Sequence, residues 1–268
     1  MRARRQVAYR DLPSPLLLGH RGCRTIAPEN TIAAIDGAAE AGAAGVEIDV
    51  RSCATGELVV AHDPTLAPVT GGQDERLIAE LSLGELRRID LGGAQQRSGT
   101  HRIAELGEVL ARCRQLGLAV NVEMKRDVPS RSAVVRATAT HLAALESDQP
   151  FVVSSFDPAM LAGLRLLAPT LPVALLLHRA GRRYHLELLA RPLGAVAIHV
   201  ERTMVSRPMV RRWRARGLRV VAWTVNHLQE VRDLYSIGVN GFISDDPAHL
   251  EPELRRLSGA TDSSRRPS

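Results

Sequence analysis

Carboxylate side chains occur at regular spacing inside short apolar segments of this sequence. Glu47 and Asp49 stand two residues apart in GVEIDV, and Glu123 stands in NVEMK. Residues two apart on a strand point to the same face, and carboxylates buried together repel one another unless a cation neutralises them. A hard divalent cation with oxygen ligands does so. The pattern therefore predicts a divalent metal ion, Mg²⁺ or Ca²⁺, held by Glu47, Asp49 and Glu123.

Histidines and cationic side chains follow the same apolar segments. His20 and Arg21 come directly after LLLG, and His62 comes after LVVA. Lys125 stands two residues beyond Glu123. An unperturbed imidazole has a pKa of about 6.5, so one histidine can give a proton while another accepts one near pH 7. Arg and Lys supply fixed positive charge for a phosphate, and the whole set indicates phosphodiester cleavage.

These side chains need a fold that gathers the ends of several strands. Helix-period segments alternate with strands predicted over residues 16–20, 45–50, 118–125, 151–156, 172–178, 195–200, 219–225 and 241–244. Such alternating units in roughly 250 residues predict a (β/α)8 TIM barrel, an α/β fold with catalytic residues at the C-terminal strand ends. An open doubly wound sheet is the alternative. No G-x-G-x-x-G loop follows the first strand, which disfavours it.

Composition excludes several other classes of protein. The chain has 268 residues and a net charge of +6, but its arginines are spread out and aromatics make up only 3%, which disfavours nucleic-acid binding. Three cysteines without a C-x-x-C pair disfavour a disulfide framework or a zinc ribbon. Lacking a signal peptide or a segment of membrane-spanning length, the sequence predicts a cytoplasmic protein with no stable membrane insertion. It makes no prediction of oligomeric state.

Several residues near the predicted strand ends have weaker assignments. His199 ends a strand and is a secondary candidate for substrate contact. Trp223 fits either barrel packing or a substrate pocket, and Cys23 has no base at a recognisable spacing, which disfavours a nucleophilic role. Asn226 is predicted to cap the following helix.

Six segments of the chain together resemble the glycerophosphodiester phosphodiesterase family. They occur in the family's order, cover the chain from about residue 16 to 250, and read GHRGCRTIAPENT (19–31), GVEIDVR (45–51), LVVAHDPTL (58–66), NVEMK (121–125), AWTVN (222–226) and GVNGFISDDP (238–247). The H-R-G, P-E-N-T, E-x-D and H-D combination is the most specific part. The chain departs from the family pattern at Ser244-Asp245, where Thr-Asp is usual.

The resemblance implies an activity and a role for each site residue. The protein would hydrolyse glycerophosphodiesters to sn-glycerol 3-phosphate and an alcohol, with a small-molecule substrate and a divalent metal ion. In this assignment His20 and His62 are the acid/base pair, and Arg21 and Lys125 contact the phosphate. Trp223 lines the alcohol pocket. The metal ligands are Glu47, Asp49 and Glu123. Glu29 and Asn30 would brace the loop after the first strand.

The resemblance also divides the chain into segments and leaves alternatives. Residues 1–14 form a basic extension, residues 15–257 the barrel, and residues 258–268 a disordered tail, while the weakly periodic stretch 64–104 fits a small insertion after the second strand. The alternatives are a lysophospholipase D-type enzyme acting on lysophospholipids, and a non-catalytic barrel that binds glycerophosphodiesters. Few aromatics disfavour the first, and the complete set of catalytic residues disfavours the second.

Overall fold

The chain folds into a closed barrel of parallel strands, which confirms the predicted (β/α)8 architecture. A computed structural model describes residues 9–92, 100–143, 149–179 and 186–259. The strands are β1 (Leu16–His20), β2 (Gly45–Ser52), β3 (Leu58–Val60), β4 (Ala119–Met124), β5 (Phe151–Ser155), β6 (Val173–Leu177), β7 (Ala197–Glu201), β8 (Arg219–Trp223) and β9 (Gly241–Ser244). The barrel closes because β1 pairs in parallel with both β2 and β9. Strand β3 lies outside it, antiparallel to β2.

Helices surround the barrel and follow most of its strands. They are α1 (Ile32–Glu40), α2 (Ala67–Thr70), α3 (Leu83–Leu86), α4 (Leu106–Leu116), α5 (Arg131–Ala143), α6 (Pro158–Leu167), α7 (Arg207–Arg214), α8 (Leu228–Ser236) and α9 (Pro247–Leu257). Short 3₁₀ helices in the described part cover Tyr9–Asp11, Ile78–Glu80, Leu186–Ala190 and Arg202–Met204. Helix α4 ends at Gly117, whose φ of 70° suits a residue without a side chain. In the described part of the chain, every helix is too short or too polar to cross a lipid bilayer.

The strand register brings the predicted site residues to one end of the barrel. Asp49 on β2 is opposite Glu123 on β4, and His20 on β1 is opposite Glu47 on β2. Strands that run parallel and in this register end at the same face. The pairing of the strands therefore places the carboxylates together at the C-terminal mouth, whatever conformations their side chains adopt.

The stretch predicted as an insertion carries a small core of its own. Short helices α2 and α3 and one 3₁₀ helix pack beside β3, and residues 93–99 lie outside the described part. The buried apolar side chains of this second core are Cys53, Val59, Leu66, Ile78, Leu81, Leu86, Leu91 and Ile103. Its packing fixes β3, and thereby the segment that leads from β3 to His62.

The segment before β1 packs against the N-terminal end of the barrel. Tyr9 is buried, and its hydroxyl lies 3.2 Å from Nε2 of His199 on β7. Arg219 at the start of β8 donates to the carbonyl oxygens of Arg10 and Pro13, each at 3.2 Å, and to that of Leu12. Residues 1–8 and the predicted tail from residue 260 onward lie outside the described part. The end of the basic extension therefore belongs to the packed barrel.

The secondary expectation that His199 contacts substrate is wrong. Its imidazole is enclosed between Tyr9 and Asn121, with Nδ1 lying 3.3 Å from Nδ2 of Asn121. Burial, followed by the positive charge of Arg219, lowers the pKa of His199 to about 3, so the ring is neutral. Its side chain points into the barrel, as its place on β7 implies, but lies below the layer of carboxylates.

Replacing Tyr9 by alanine is expected to lower the free energy of unfolding by about 3 kcal/mol, as for other buried aromatic side chains. The loss comes from the cavity at the barrel floor. Tyr9→Phe keeps the ring and removes only the hydroxyl, so about 1 kcal/mol is expected. Urea denaturation followed by circular dichroism measures both. Equal and negligible effects of the two variants would show that Tyr9 does not close the barrel.

Candidate active site

The loop after β1 is held in a conformation that few side chains adopt. Arg21 has a φ of 58° and Asn30 a φ of 60°, both in the left-handed region. Non-glycine residues there cluster at functional sites, where the surrounding structure holds the strain. Here the Asn30 N–H donates to the carbonyl of Arg21 at 2.9 Å, and the Arg21 N–H donates to Glu47 Oε2 at 3.2 Å. The loop is thus bonded directly to the carboxylate cluster.

The three predicted metal ligands form one compact, buried group. A carboxylate oxygen from each of Glu47, Asp49 and Glu123 lies within 4.8 Å of those from the other two. Burial and the neighbouring carboxylates raise the pKa of Glu47 well above its usual range. Burial and the charge of Asp49 raise the pKa of Glu123 to about 7. Three buried oxygen donors that resist carrying their charges together fit a hard divalent cation.

Asp49 is the member of the cluster that stays ionised. Lys125 Nζ lies 3.2 Å from Asp49 and 2.9 Å from Glu123, and Arg21 Nε lies 3.2 Å from Asp49. Burial opposes ionisation of Asp49, but the charges of Lys125 and Arg21 outweigh it and lower the pKa of that carboxyl. Asn30 Nδ2 donates to Asp49 at 3.1 Å. The two cations predicted for the phosphate therefore adjoin the predicted metal ligands.

A second group of possible ligands comprises Glu29, His62 and Asp63. Glu29 already accepts from Arg21 Nη1 at 2.7 Å, and it lies 3.0 Å from Arg24 Nη2. Its charge is neutralised by these two guanidinium groups. The cluster of Glu47, Asp49 and Glu123 is accordingly the better metal candidate, and Glu29 braces the loop after β1 as the resemblance implies.

His20 is oriented by a carboxylate that the sequence analysis did not select. Its Nδ1 lies 2.7 Å from Oδ1 of Asp245, which follows β9. Asp245 also accepts from Arg24 Nη1 and from Asn226 Nδ2, each at 2.8 Å. Burial opposes ionisation of Asp245, but its contacts with His20, Asn226 and Arg24 outweigh burial and lower its pKa. A fixed carboxylate at Nδ1 leaves Nε2 of His20 for proton transfer. The sequence feature that could have indicated this role is the position of Asp245 directly after a strand.

The predicted helix-capping role of Asn226 is wrong. Helix α8 begins after His227, and Asn226 instead spans the gap to the end of β9. The Asn226 Oδ1 accepts from the Asp245 N–H at 2.9 Å and from the Ser244 hydroxyl at 3.1 Å. The Asn226 amide bonds to Asp245 rather than to the backbone N–H groups in the first turn of α8. It therefore supports His20 through Asp245.

His62 is positioned through its backbone. The buried Arg51 on β2 donates through Nε to the His62 carbonyl at 2.8 Å, and it also binds Asp127 through contacts of 2.8 and 2.9 Å. The Nδ1 of His62 lies 3.2 Å from Asp63. Burial is the largest cause that lowers the pKa of His62, so the imidazole is neutral at pH 7 and ready to accept a proton. Arg51 belongs to the GVEIDVR segment, but its partners His62 and Asp127 are distant in sequence, so the segment alone did not indicate this role.

All of the predicted site residues line one cavity at the barrel mouth. Its volume is about 70 Å³, and its lining consists of His20, Arg21, Glu47, Asp49, His62, Glu123, Lys125, Phe156, Leu176, Trp223 and Ile243. The last four form an apolar wall, in which the Phe156 ring meets Trp223 edge-on at 5.5 Å. Sequence analysis missed Phe156, although FVVSSF ends with it. A larger cavity of about 470 Å³ contains none of the predicted site residues.

Asp245→Asn is expected to lower kcat/KM by at least about tenfold, up to the 10²–10⁴ supplied by a general acid or base itself. The amide cannot fix His20 as the carboxylate does. Steady-state kinetics measures the loss, and Asp233→Asn on the exposed face of α8 is the matched control. Retention of wild-type kcat/KM by Asp245→Asn would contradict the orienting role.

Comparison with known proteins points to one family. The model of the glycerophosphoryl diester phosphodiesterase family matches residues 20–249. A protein named glycerophosphodiester phosphodiesterase from Caldanaerobacter subterraneus subsp. tengcongensis is 29% identical over 244 residues, covering 90% of this chain and 98% of that protein. The similarity thus extends over nearly the full length of both chains.

Solved structures agree with the sequence comparison. An Oleispira antarctica phosphodiesterase in complex with the product sn-glycerol-3-phosphate has a TM-score of 0.81 at 26% identity, covering 90% of this chain and 96% of the other. A glycerophosphodiester phosphodiesterase from Agrobacterium tumefaciens has a TM-score of 0.73 at 26% identity, covering 88% and 99%. The shared fold covers at least 88% of this chain in both comparisons.

Proposed function

Because the chain belongs to the glycerophosphoryl diester phosphodiesterase family, and is thereby a phosphoric diester hydrolase, we propose that it releases sn-glycerol 3-phosphate and an alcohol from glycerophosphodiesters in a metal-dependent reaction. The observation that carries this proposal is the convergence of the carboxylate cluster, two cations and two histidines on one cavity. The Oleispira antarctica structure, described with sn-glycerol-3-phosphate as product, supports the choice of product.

Glu47, Asp49 and Glu123 would hold one divalent ion, Mg²⁺ or Ca²⁺. When bound, such an ion supplies Lewis-acid stabilisation of charge that develops on a phosphate oxygen. Arg21 and Lys125, whose charges face Asp49 in the structure, bind the phosphate from the same side of the cavity. The apolar wall that includes Trp223 contacts the carbon skeleton of the glycerol or alcohol.

The two histidines divide the proton transfers. His62, neutral because burial lowers its pKa, takes the proton from the attacking oxygen, which belongs either to a substrate glycerol hydroxyl or to water. His20, held by Asp245, gives a proton to the oxygen of the departing alcohol as the bond from phosphorus breaks. Attack by the glycerol hydroxyl gives a cyclic phosphate, which water then opens with the proton roles reversed.

The test is release of glycerol 3-phosphate from a mixture of glycerophosphodiesters, assayed enzymatically in EDTA, in Mg²⁺ and in Ca²⁺. We expect release with at least one ion and none in EDTA. A lysophospholipid serves as comparison substrate, and slower cleavage is expected because the apolar lining of the cavity, Phe156, Leu176, Trp223 and Ile243, is too small to cover an acyl chain. Absence of release with every ion, from protein that circular dichroism shows to be folded, would overturn the proposal.

A further inference from the structure

A third cationic side chain stands at the edge of the cavity, beyond Arg21 and Lys125. Arg126 directly follows Lys125 at the C-terminal end of β4, and its guanidinium carbon lies 5.9 Å from the centroid of the Phe156 ring. Phe156 is part of the apolar wall of the cavity. A guanidinium at this distance over an aromatic face is held there by cation–π attraction. Arg126 therefore lies where the phosphate-binding side of the cavity meets its apolar wall.

Within the described residues, no carboxylate is within ion-pair distance of the Arg126 guanidinium. The adjacent Asp127 is bound by Arg51 through both of its oxygens, at 2.9 and 2.8 Å. Glu201, at the end of β7, accepts from the Arg179 N–H at 2.8 Å and from a threonine hydroxyl at 2.6 Å. Asp127 is thus paired with Arg51, whereas Glu201 keeps its charge and is hydrogen-bonded to groups other than Arg126.

The charge of Arg126 is felt along the apolar wall. The His178 ring packs edge-on against Phe156, with centroids 5.0 Å apart. Burial first, and the positive charge of Arg126 second, lower the pKa of His178. The negative charge of Glu201 opposes Arg126 at the same ring with a smaller effect, so a substituent that passes along Phe156 still meets a net positive field.

The cations inside the cavity already have carboxylate partners. Arg21 lies 2.7 Å from Glu29 and 3.2 Å from Asp49, and Lys125 lies 3.2 Å from Asp49 and 2.9 Å from Glu123. Arg126 differs from both in having no ion-pair partner among the described residues. Its charge is therefore available to a substrate group that passes along Phe156.

We propose that Arg126 determines specificity by selecting glycerophosphodiesters whose alcohol carries a further anionic group, such as a second phosphodiester. Its planar guanidinium binds two oxygens of a phosphate or a carboxylate at once, and it repels an alcohol that carries a quaternary ammonium. This inference rests on the proposed function and concerns the part of the substrate that leaves.

The experiment compares kcat/KM for three substrates that differ in the charge of the alcohol. Bis(glycerophospho)glycerol has an additional anionic phosphodiester, glycerophosphoglycerol has a neutral alcohol, and glycerophosphocholine has a cationic one. We expect Arg126→Gln to lower the kcat/KM ratio of the first substrate to the second by about tenfold, the value of a charged hydrogen bond. The kcat/KM ratio of glycerophosphocholine to glycerophosphoglycerol should rise in Arg126→Gln. Both ratios in Arg126→Lys should lie between those of the wild type and those of Arg126→Gln. High salt should reduce all these differences.

Arg216→Gln is the matched control, because Arg216 is exposed and follows α7 at the opposite end of the barrel. It removes the same charge from the protein and should leave the substrate ratios unchanged. Equal changes for all substrates in Arg126→Gln, or no change in the ratios, would overturn the inference while leaving the proposed function intact. A wild-type protein that cleaves none of the three would overturn both.

Discussion

His62→Ala is expected to lower kcat for glycerophosphodiester hydrolysis by about two to four orders of magnitude, the usual contribution of a general acid or base. His62 lines the cavity beside the carboxylate cluster, and its backbone is fixed by the buried Arg51. Removing the imidazole leaves the fold and the phosphate contacts in place. The loss should therefore fall on kcat rather than on KM.

The pH dependence gives this prediction a sign. Burial holds the pKa of His62 below its ordinary value of 6.5, so the neutral, proton-accepting form is present at pH 7 and is lost as the pH falls. With the metal ion at saturating concentration, the acidic limb of the kcat/KM profile should accordingly lie below pH 6.5 in the wild type. In His62→Ala that limb should be absent from the residual activity. A profile measured between pH 4.5 and 9 at constant ionic strength tests both statements.

His249→Ala is the control for removing a histidine, because His249 is exposed on α9 and does not line the cavity. It should keep wild-type kinetics. Equal activity of His62→Ala and the wild type would remove His62 from the reaction. A loss that is equal at all pH values, with the acidic limb retained, would mean that another group is the base.

The parts of the site that could be predicted depend on local spacing. Alternation along a strand places Glu47 and Asp49 on one face, and alternation of strands with helices places their ends at one mouth. Both rules need only neighbours in sequence. For that reason the site residues predicted at the strand ends lie together in the folded chain. Their catalytic roles remain a proposal.

What could not be predicted depends on contacts between distant parts of the chain. Asp245 reaches His20 across 225 positions, and Arg51 reaches Asp127 across 76. No periodicity specifies either pair. His199 shows a related difficulty, because alternation gives the direction of an inward side chain but not its depth along the barrel axis.

Replacing any of Glu47, Asp49 or Glu123 by its amide is expected to lower metal-dependent activity to about 1% of the wild-type value or less. The reason is that the ion stabilises the transition state by several kcal/mol. Metal binding should weaken in parallel, which calorimetry measures without reference to activity. Glu75→Gln, on the exposed surface of the insertion, is the control. Retained binding and activity in all three amide variants would place the metal elsewhere.

Metal binding should also become stronger as the pH rises. The pKa of Glu123 is raised to about 7, and that of Glu47 is raised well above its usual range, so the metal-free cluster retains protons near neutrality. The ion binds carboxylates, and it must displace those protons. Calorimetric titrations in two buffers of different ionisation enthalpy should therefore show proton release, which diminishes as the pH rises past 7.

The same raised pKa values predict how stability depends on the ion. A carboxyl group whose folded pKa exceeds its unfolded value stabilises the protein at low pH, and that contribution is lost as the pH rises through the folded value. For Glu123 the loss begins near its ordinary pKa of 4.5 and is complete soon above its folded pKa of about 7. The metal-free protein should thus lose stability between about pH 4.5 and 7, whereas the metal-loaded protein should not, because the ion replaces the protons. Thermal unfolding at several pH values, with EDTA or with Ca²⁺ or Mg²⁺, tests this. Parallel curves in the two conditions would show that the ion does not bind at the carboxylates.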